Sequence, residues 1–227
     1  MAASLSTEIE FKFAVDNAEA FNNLVVQLGL PESVLNNRVT QVNHFFDSPS
    51  LCLHDADLAV RLRVQNRKNI FTTKGKSSYH AEDRQELSQR IEQETSIPDH
   101  AAHDLLEGHI TPAEIIKQYL PSHANTLLEM LEHTCVDEPL KYIGMFRNER
   151  IILPEYKLEA GELSTKIVFE LDSSTFPDGS VEHEIEVEIS DTTHADEIRR
   201  ALTTLLEQAG ISWTTAPSKA ARFFARL

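Results

Sequence analysis

The chain has 227 residues, 36 of them acidic and 21 basic, and its formal net charge is −15. Such an acidic surface repels nucleic acid and anionic membranes, so we expect neither as a partner. The first residues do not resemble a signal peptide, and no stretch approaches the ~18 apolar residues that a membrane helix needs. We therefore expect a soluble cytoplasmic protein, long enough to bury a sizeable core.

The two cysteines, Cys52 and Cys135, match neither a disulfide framework nor the spacing of a metal site. Because cytosolic proteins keep their thiols reduced, we predict two reduced cysteines. The predicted fold then has no covalent cross-link.

Alternating apolar and polar residues predict strands along much of the chain. In the first segment, TEIEFKF, a strand would place Glu8, Glu10 and Lys12 on one face and three apolar side chains on the other. Further strand patterns follow in the segments VNHFFD, LAVRLRVQ, NIFTTK, DRQELSQ, KIVFELD and VEHEIEVEIS.

Helical spacing predicts helices from about Asn17 to Leu28 and from about Ala195 to Ala209, each followed by a glycine. The middle of the chain, about residues 95–132, is also helical in pattern, and no composition change marks a domain boundary on either side of it. This order of elements favours an antiparallel sheet or barrel with helices outside over a β-α-β layout. We expect one domain, residues 1–227, with the middle helices as an insertion.

The polar positions of these strands are mostly charged. Arg61 and Arg63 form a basic row, and Glu184 and Glu186 form an acidic row. One charged strand face is usually exposed to solvent, but the pattern recurs on several strands. If the sheet closes, the charges line its interior, where they must be paired or must hold ligands and metals. Basic rows suit phosphate oxygens, and acidic rows suit a hard divalent cation.

The E-x-E-x-K pattern of Glu8, Glu10 and Lys12 resembles the signature of the CYTH superfamily, also called triphosphate tunnel metalloenzymes. Seven further segments resemble motifs of that family in the same order: NHFFDSPSLCL, AVRLRVQ, FTTKGK, RQEL, FRNERIIL, the acidic stretch 172–186, and PSKAAR. The first motif alone is weak, whereas eight in order span nearly the whole chain. The chain departs from the pattern at Asp57, near a position where relatives often carry glycine.

The resemblance implies an α+β fold, an eight-stranded antiparallel β-barrel that forms a tunnel with helices packed outside. Triphosphate would bind inside the tunnel, held by basic side chains and by Mg²⁺ or Mn²⁺. By matching position, the metal-binding carboxylates would be Glu8, Glu10, Asp172, Glu184 and Glu186. The phosphate-binding side chains would be Arg61, Arg63, Lys74, Arg84, Arg150, Lys219 and Arg222.

Two positions stay open. Glu188 lies on the same predicted face as Glu184 and Glu186, and a shift of two residues would place it in the site. Arg147 and Arg150 are three residues apart and cannot share a face of a regular strand, and we prefer Arg150.

The activity implied by the resemblance is metal-dependent hydrolysis of inorganic triphosphate to diphosphate and phosphate, with Lys12, Glu8 and Glu10 as catalytic residues. Lys12 would position or activate a water molecule. An ordinary lysine pKa near 10.4 makes it a poor base, so a salt bridge to the glutamates is an equal alternative and the general base stays open. Other functions for the same tunnel are a thiamine triphosphatase, a class IV adenylyl cyclase, or a non-catalytic sensor of polyphosphate or nucleotide. The protein would be a monomer or a homodimer.

Overall fold

The computed structural model describes residues 6–28, 32–35, 38–75, 87–121, 124–160, 163–190 and 192–227. Within these ranges the strands are β1 (Ser6–Val15), β2 (Val39–Asp47), β3 (Ala59–Gln65), β4 (Lys68–Lys74), β5 (Leu87–Ile97), β6 (Lys141–Ala160), β7 (Leu163–Thr175), β8 (Val181–Glu188) and β9 (Trp213–Thr215). The helices are α1 (Ala18–Gln27), α2 (Glu32–Leu35), α3 (Cys52–Asp55), α4 (Asp99–Leu106), α5 (Pro112–Tyr119), α6 (Ala124–Thr134), α7 (Ala195–Gln208) and α8 (Lys219–Phe224).

Eight strands close into an antiparallel barrel, as the sequence predicted. Their order is β5-β4-β3-β2-β6-β7-β8-β1, and β1 also pairs with β5. The short strand β9, which the sequence did not predict, pairs with β1 at Phe13–Val15, beyond the last residue of β1 that pairs with β5.

The buried apolar side chains of β1, β3, β4, β7 and β8 point away from the barrel axis and pack against helices. Phe11 and Phe13 of β1 are fully buried in one cluster, to which α7 contributes Ile198, Leu202 and Leu206. Each such side chain contributes about 1.5–3 kcal/mol to the free energy of unfolding. Because side chains alternate along a strand, this packing directs the charged residues between them into the barrel.

The helical insertion covers a second part of the outer face. Helices α4 to α6 pack on β3 and β4, and Leu62 and Phe71 are fully buried beneath them. Helix α5 begins with a capping box between Thr111 and Glu114, followed by Pro112 in the first turn. The predicted insertion at 95–132 is confirmed as a helical region, although β5 continues to Ile97 before α4 begins.

An aromatic cluster joins α8 to the inner face of the barrel. It consists of Phe45, Phe146, Phe176, Phe223 and Phe224, all buried. Gly144 adjoins this cluster with a φ of +153°, and a Cβ there would come within 3.1 Å of a Phe223 ring carbon. Only glycine therefore fits between β6 and α8 without a shift.

The prediction of two reduced cysteines is wrong. The structure joins Cys52, in α3, to Cys135, which follows α6, in a disulfide with a Cα–Cα distance of 5.5 Å. The two residues are 83 positions apart, and the packing of the insertion against the connection between β2 and β3 brings them together. Spacing in the sequence carries no signal of that contact.

Among the described residues, no helix is both long enough and apolar enough to cross a membrane. The expected location in the cell stays a prediction.

Candidate active site in the barrel

The barrel encloses a cavity of about 520 Å³. Among the described residues, acidic and basic side chains line it in equal number. The acidic ones are Glu8, Glu10, Glu92, Glu94, Glu170, Glu186 and Glu188. The basic ones are Lys12, Arg61, Arg63, Lys74, Arg90, Arg150 and Lys219.

Three carboxylates form the tightest acidic cluster. Asp172 lies opposite Glu184 in the β7–β8 register, and Glu186 follows on the same face of β8. One oxygen from each lies within 4.8 Å of the others, and all three residues are buried. Oxygen ligands at this spacing suit a hard cation such as Mg²⁺ or Mn²⁺, so the donor set fits the metal that the sequence implied.

Basic side chains neutralise this cluster in the structure. Lys219 Nζ lies 2.7 Å from Asp172 Oδ2 and 2.9 Å from Glu186 Oε1, and it also contacts Glu184. Arg150 donates two hydrogen bonds to Asp172, at 2.7 and 2.6 Å. A buried carboxylate cluster of this kind requires such partners, and a metal ion would have to replace some of them.

The other two carboxylates of the predicted metal set lie at the border of the cluster. Lys12 Nζ bridges Glu10 Oε1, at 2.8 Å, and Glu186 Oε1, at 3.3 Å. Glu8 Oε2 lies 2.9 Å from the Nζ of Lys74, the last residue of β4. The structure therefore brings three of the five residues into one group, with Glu10 beside it and Glu8 turned toward the basic wall.

The electrostatics of β1 follow from burial and from these partners. Burial raises the pKa of Glu10 to about 7, against the attraction of Lys12. Burial acts on Glu8 in the same direction, but Lys74 and Lys12 outweigh it and hold the pKa of Glu8 well below its usual range. Burial lowers the pKa of Lys12, yet Glu10 and Glu186 outweigh that effect and raise it above the ordinary lysine value. Lys12 is therefore a protonated salt-bridge partner of Glu10 and Glu186 in the ligand-free structure.

The basic wall lies on β3 and β4. Arg61 Nη2 lies 3.3 Å from Glu94 Oε1 and 3.4 Å from Glu92 Oε1. Lys74 Nζ lies 3.1 Å from Glu92 Oε2. Arg63 donates from Nε to Asn43 Oδ1 at 3.0 Å.

The structure also places the residues of the two open positions. Arg150 faces the cavity and contacts Asp172, Glu170 and Glu186, whereas Arg147 is exposed and pairs with Glu149 outside the barrel. Glu184 and Glu186 lie in the buried cluster. Glu188 lies on the same face as they do but is exposed at the edge of the cavity, opposite Glu10 in the strand register.

Helix α8 brings two more of the predicted residues to the site. The Ser218 side chain caps the helix by accepting a hydrogen bond from Ala221 N at 3.1 Å. Lys219 and Arg222 then point at β8, where Arg222 contacts Glu184 and lies 2.6 Å from Glu182 Oε2. Helix α8 thus covers part of the acidic row of β8.

Sequence reasoning missed the inner face of β5. Arg84 lies outside the described residues, but a second R-x-E pair, Arg90 and Glu92, lines the cavity six residues further along, followed by Glu94. The period-two run R-I-E-Q-E carried this signal. Arg90 Nη2 lies 3.6 Å from Asp57 Oδ1, and Asp57 has a φ of +58°, a conformation that glycine favours. Asp57, which stands near a position where relatives often carry glycine, therefore provides a carboxylate for the buried side chain of Arg90.

The comparisons with known proteins agree with this architecture. The model of the CYTH domain matches residues 6–224. A protein from Hippeastrum, described as a candidate adenylyl cyclase with a dominant triphosphatase activity, has a similar structure with a TM-score of 0.74 and 21% identity, over 96% of each chain. A candidate adenylate cyclase from Bacillus halodurans gives a TM-score of 0.69 and 23% identity, over 99% of this chain and 100% of that one. No curated protein sequence is significantly similar to the chain.

The two solved structures show that the fold is shared, and the domain model extends the likeness to the sequence from β1 to the end of α8. Together with the closed barrel and its charged cavity, this match shows that the chain belongs to the CYTH domain family.

Proposed function

We propose that the barrel hydrolyses inorganic triphosphate to diphosphate and phosphate, with Mg²⁺ or Mn²⁺ as cofactor. One observation carries the proposal: a single cavity is lined by a wall of basic side chains and by Glu186, which belongs to a buried three-carboxylate cluster. A metal–polyphosphate complex contains both of the charges that these two walls would bind.

The basic side chains would bind the phosphate groups. Of the candidates, Arg61, Arg63, Lys74, Arg150 and Lys219 line the cavity, whereas Arg222 pairs with Glu184 beside it. In the ligand-free structure most of them are paired with carboxylates. Phosphate oxygens would replace these carboxylates at the arginines, which offer a bidentate fork to an oxyanion.

The carboxylates released in this exchange would hold the metal. Asp172, Glu184 and Glu186 are the first candidates, with Glu10 and Glu8 beside them. When bound, the metal supplies charge neutralisation for the leaving phosphate and acidifies a water molecule. Lys12 would stay protonated and donate a hydrogen bond to a phosphate oxygen or to the attacking water.

The test is phosphate release from tripolyphosphate, thiamine triphosphate and ATP, each with Mg²⁺, with Mn²⁺ and with EDTA, while cyclic AMP is also monitored. We expect metal-dependent release from tripolyphosphate, faster than from the other two substrates. A preference for thiamine triphosphate, or cyclic AMP from ATP, would replace the proposal with another activity of the same cavity. Metal-dependent binding of tripolyphosphate without turnover would make the protein a sensor.

The matched variants are Glu186→Gln and Glu159→Gln. Glu186 touches Lys12, Arg150 and Lys219, whereas Glu159 is exposed at the end of β6. Mutation of a residue that only hydrogen-bonds to a metal ligand typically lowers metal affinity or activity by about 10- to 100-fold. Glu186→Gln alters a candidate ligand itself, so it should slow phosphate release by at least roughly 100-fold. Glu159→Gln should have no effect. Unchanged activity of a folded Glu186→Gln protein would contradict the assignment of the cluster.

A further inference from the structure

Arg63 differs from the other basic side chains of the cavity in its partner. Lys12, Arg61, Lys74, Arg90, Arg150 and Lys219 each have a carboxylate oxygen within 4.0 Å. In the part of the chain that the structure describes, no carboxylate lies that close to the Arg63 guanidinium. Its hydrogen-bond partner there is the neutral amide of Asn43.

Asn43 is placed for this contact by the strand register. It lies opposite Arg63 in the β2–β3 pair and opposite Phe146 in the β2–β6 pair, and both of these neighbours line the cavity. Its side chain is almost completely buried, with a residue exposure of 1%. An arginine Nε can only donate, so the amide oxygen must face it, and this fixes the orientation of the amide.

The arrangement leaves hydrogen-bonding capacity unused. The Nδ2 of Asn43 is buried and has no hydrogen-bond partner among the described residues. The two terminal nitrogens of Arg63 also have no carboxylate there. Asn43 Nδ2 is a buried donor and costs free energy without an acceptor, whereas the half-buried Arg63 side chain lines the cavity and can take an acceptor from it.

The surroundings of Arg63 add to its need for an anion. Burial and the positive charges of Arg61 and Arg150 together lower the pKa of Arg63 to about 9, against the smaller opposing effects of Glu94 and Glu92. An anion bound in the cavity would relieve this repulsion. A carboxylate at position 43 would also relieve this repulsion. It would, however, neutralise the Arg63 guanidinium before any ligand binds.

We propose that Asn43 is a positioning residue for Arg63, holding its guanidinium toward the cavity without neutralising it, so that a phosphate group of the substrate supplies the missing counter-charge. This inference rests on the proposed function for the nature of the substrate. It assigns to a neutral residue on β2 a part in substrate affinity that charge patterning does not reveal.

The decisive variant is Asn43→Asp. It keeps the shape of the side chain and an acceptor for Arg63 Nε, but adds the carboxylate that the native site lacks. We expect the KM for tripolyphosphate, and its Kd by calorimetry, to rise roughly 10- to 100-fold, as for loss of a charge-assisted hydrogen bond, with a smaller change in kcat.

Two further variants separate positioning from packing. Asn43→Ala removes the oriented acceptor but leaves Arg63 charged, so its affinity loss should be smaller than that of Asn43→Asp. If Asn43 served only to fill space, the truncation to alanine would be the more harmful change. Gln65→Glu adds the same charge on the inner face of β3, where Gln65 accepts a hydrogen bond from Gln41 at 2.9 Å, and should change the KM about threefold at most.

The inference is overturned if Asn43→Asp binds tripolyphosphate as tightly as the native protein, or if Asn43→Ala is the weaker binder of the two. If the native protein does not bind tripolyphosphate, the proposed function fails, and inorganic phosphate becomes the probe for the same three variants. Native binding of inorganic phosphate that weakens in Asn43→Asp would then support the role of Asn43. Absent or unchanged binding would overturn it.

Discussion

The inner face of the barrel shows that neighbouring ionisable residues have opposite pKa shifts. Burial raises the pKa of Glu92 to about 7, although Lys74 and Arg61 oppose it. For Glu94, which is partly exposed, burial also acts to raise the pKa, but Arg61, the hydrogen bond from Thr72 and Arg63 together outweigh it and lower the pKa. The difference follows from depth in the cavity, because desolvation penalises the charged form most where water is absent.

These shifts predict how the stability of the ligand-free protein depends on pH. The pKa of Glu10 and of Glu92 rises from 4.5 to about 7 on folding, so the folded state binds more protons than the unfolded state between these values. This stabilisation is fully present below pH 4.5, the unfolded pKa, and is lost as the pH rises through about 7, the folded pKa. We therefore expect the Tm of the metal-free protein to fall between about pH 5 and pH 7.5.

Matched variants test the origin of this fall. Glu92→Gln should flatten the dependence of Tm on pH, because it removes one of the carboxyl groups whose pKa rises on folding. Glu94→Gln should not flatten it, because the pKa of Glu94 is shifted downward and that group titrates below the window. A Tm that rises over this range in the metal-free native protein would contradict the assignment.

At the scale of elements, the barrel is covered by two separate helical layers. Helices α1 and α7 cover β1, β7 and β8, which hold most of the acidic residues of the cavity, and α4 to α6 cover β3 and β4, which hold much of the basic wall. The disulfide between Cys52 and Cys135 ties the second layer to the connection between β2 and β3. It therefore stabilises the scaffold that carries Arg61 and Arg63.

Loss of this disulfide should destabilise the protein. The bridge closes a loop between residues 83 positions apart, and native disulfides typically contribute about 2–4 kcal/mol to the free energy of unfolding. A reductant or Cys135→Ser should each lower the Tm. The reductant should have no further effect on the Cys135→Ser protein, and equal Tm values with and without reductant in the native protein would contradict the prediction.

On the scale of the whole molecule, the two charged walls of the cavity depend on one another. Without ligand, basic and acidic side chains form ion pairs across it, such as Lys219 with Asp172 and Lys74 with Glu8. A phosphate chain alone would leave carboxylates unpaired, and a metal alone would leave cations unpaired. Both ligands together satisfy both walls, so their binding should be positively coupled.

Thermal melting measures this coupling directly. The increase in Tm with Mg²⁺ and tripolyphosphate together should exceed the sum of the increases with each alone, after correction for the complex that they form in solution. Glu186→Gln should reduce the excess, whereas Glu159→Gln should not. Purely additive shifts in the native protein would mean that metal and phosphate do not share this cavity.

The sequence by itself determined which residues could face one another. Period-two alternation placed Glu8, Glu10 and Lys12 on one face of β1 and Phe11 and Phe13 on the other, because successive side chains of a strand point to opposite sides. The order of the motifs along the chain then indicated the family, and that resemblance implied the closed barrel. Alternation and motif order are local or linear properties, so one sequence suffices to read them.

Which of these residues contact one another depends on the tertiary structure. Register across strands and the packing of helices bring Arg150 rather than Arg147 to Asp172, join Cys52 to Cys135, place Arg90 and Glu92 in the cavity, and leave Arg63 with Asn43 as its partner. A shift of one residue in pairing would reverse every face, and long-range contacts set that pairing. No local pattern in the sequence contains the contact of Cys52 with Cys135 or of Arg63 with Asn43, because each joins segments that only folding brings together.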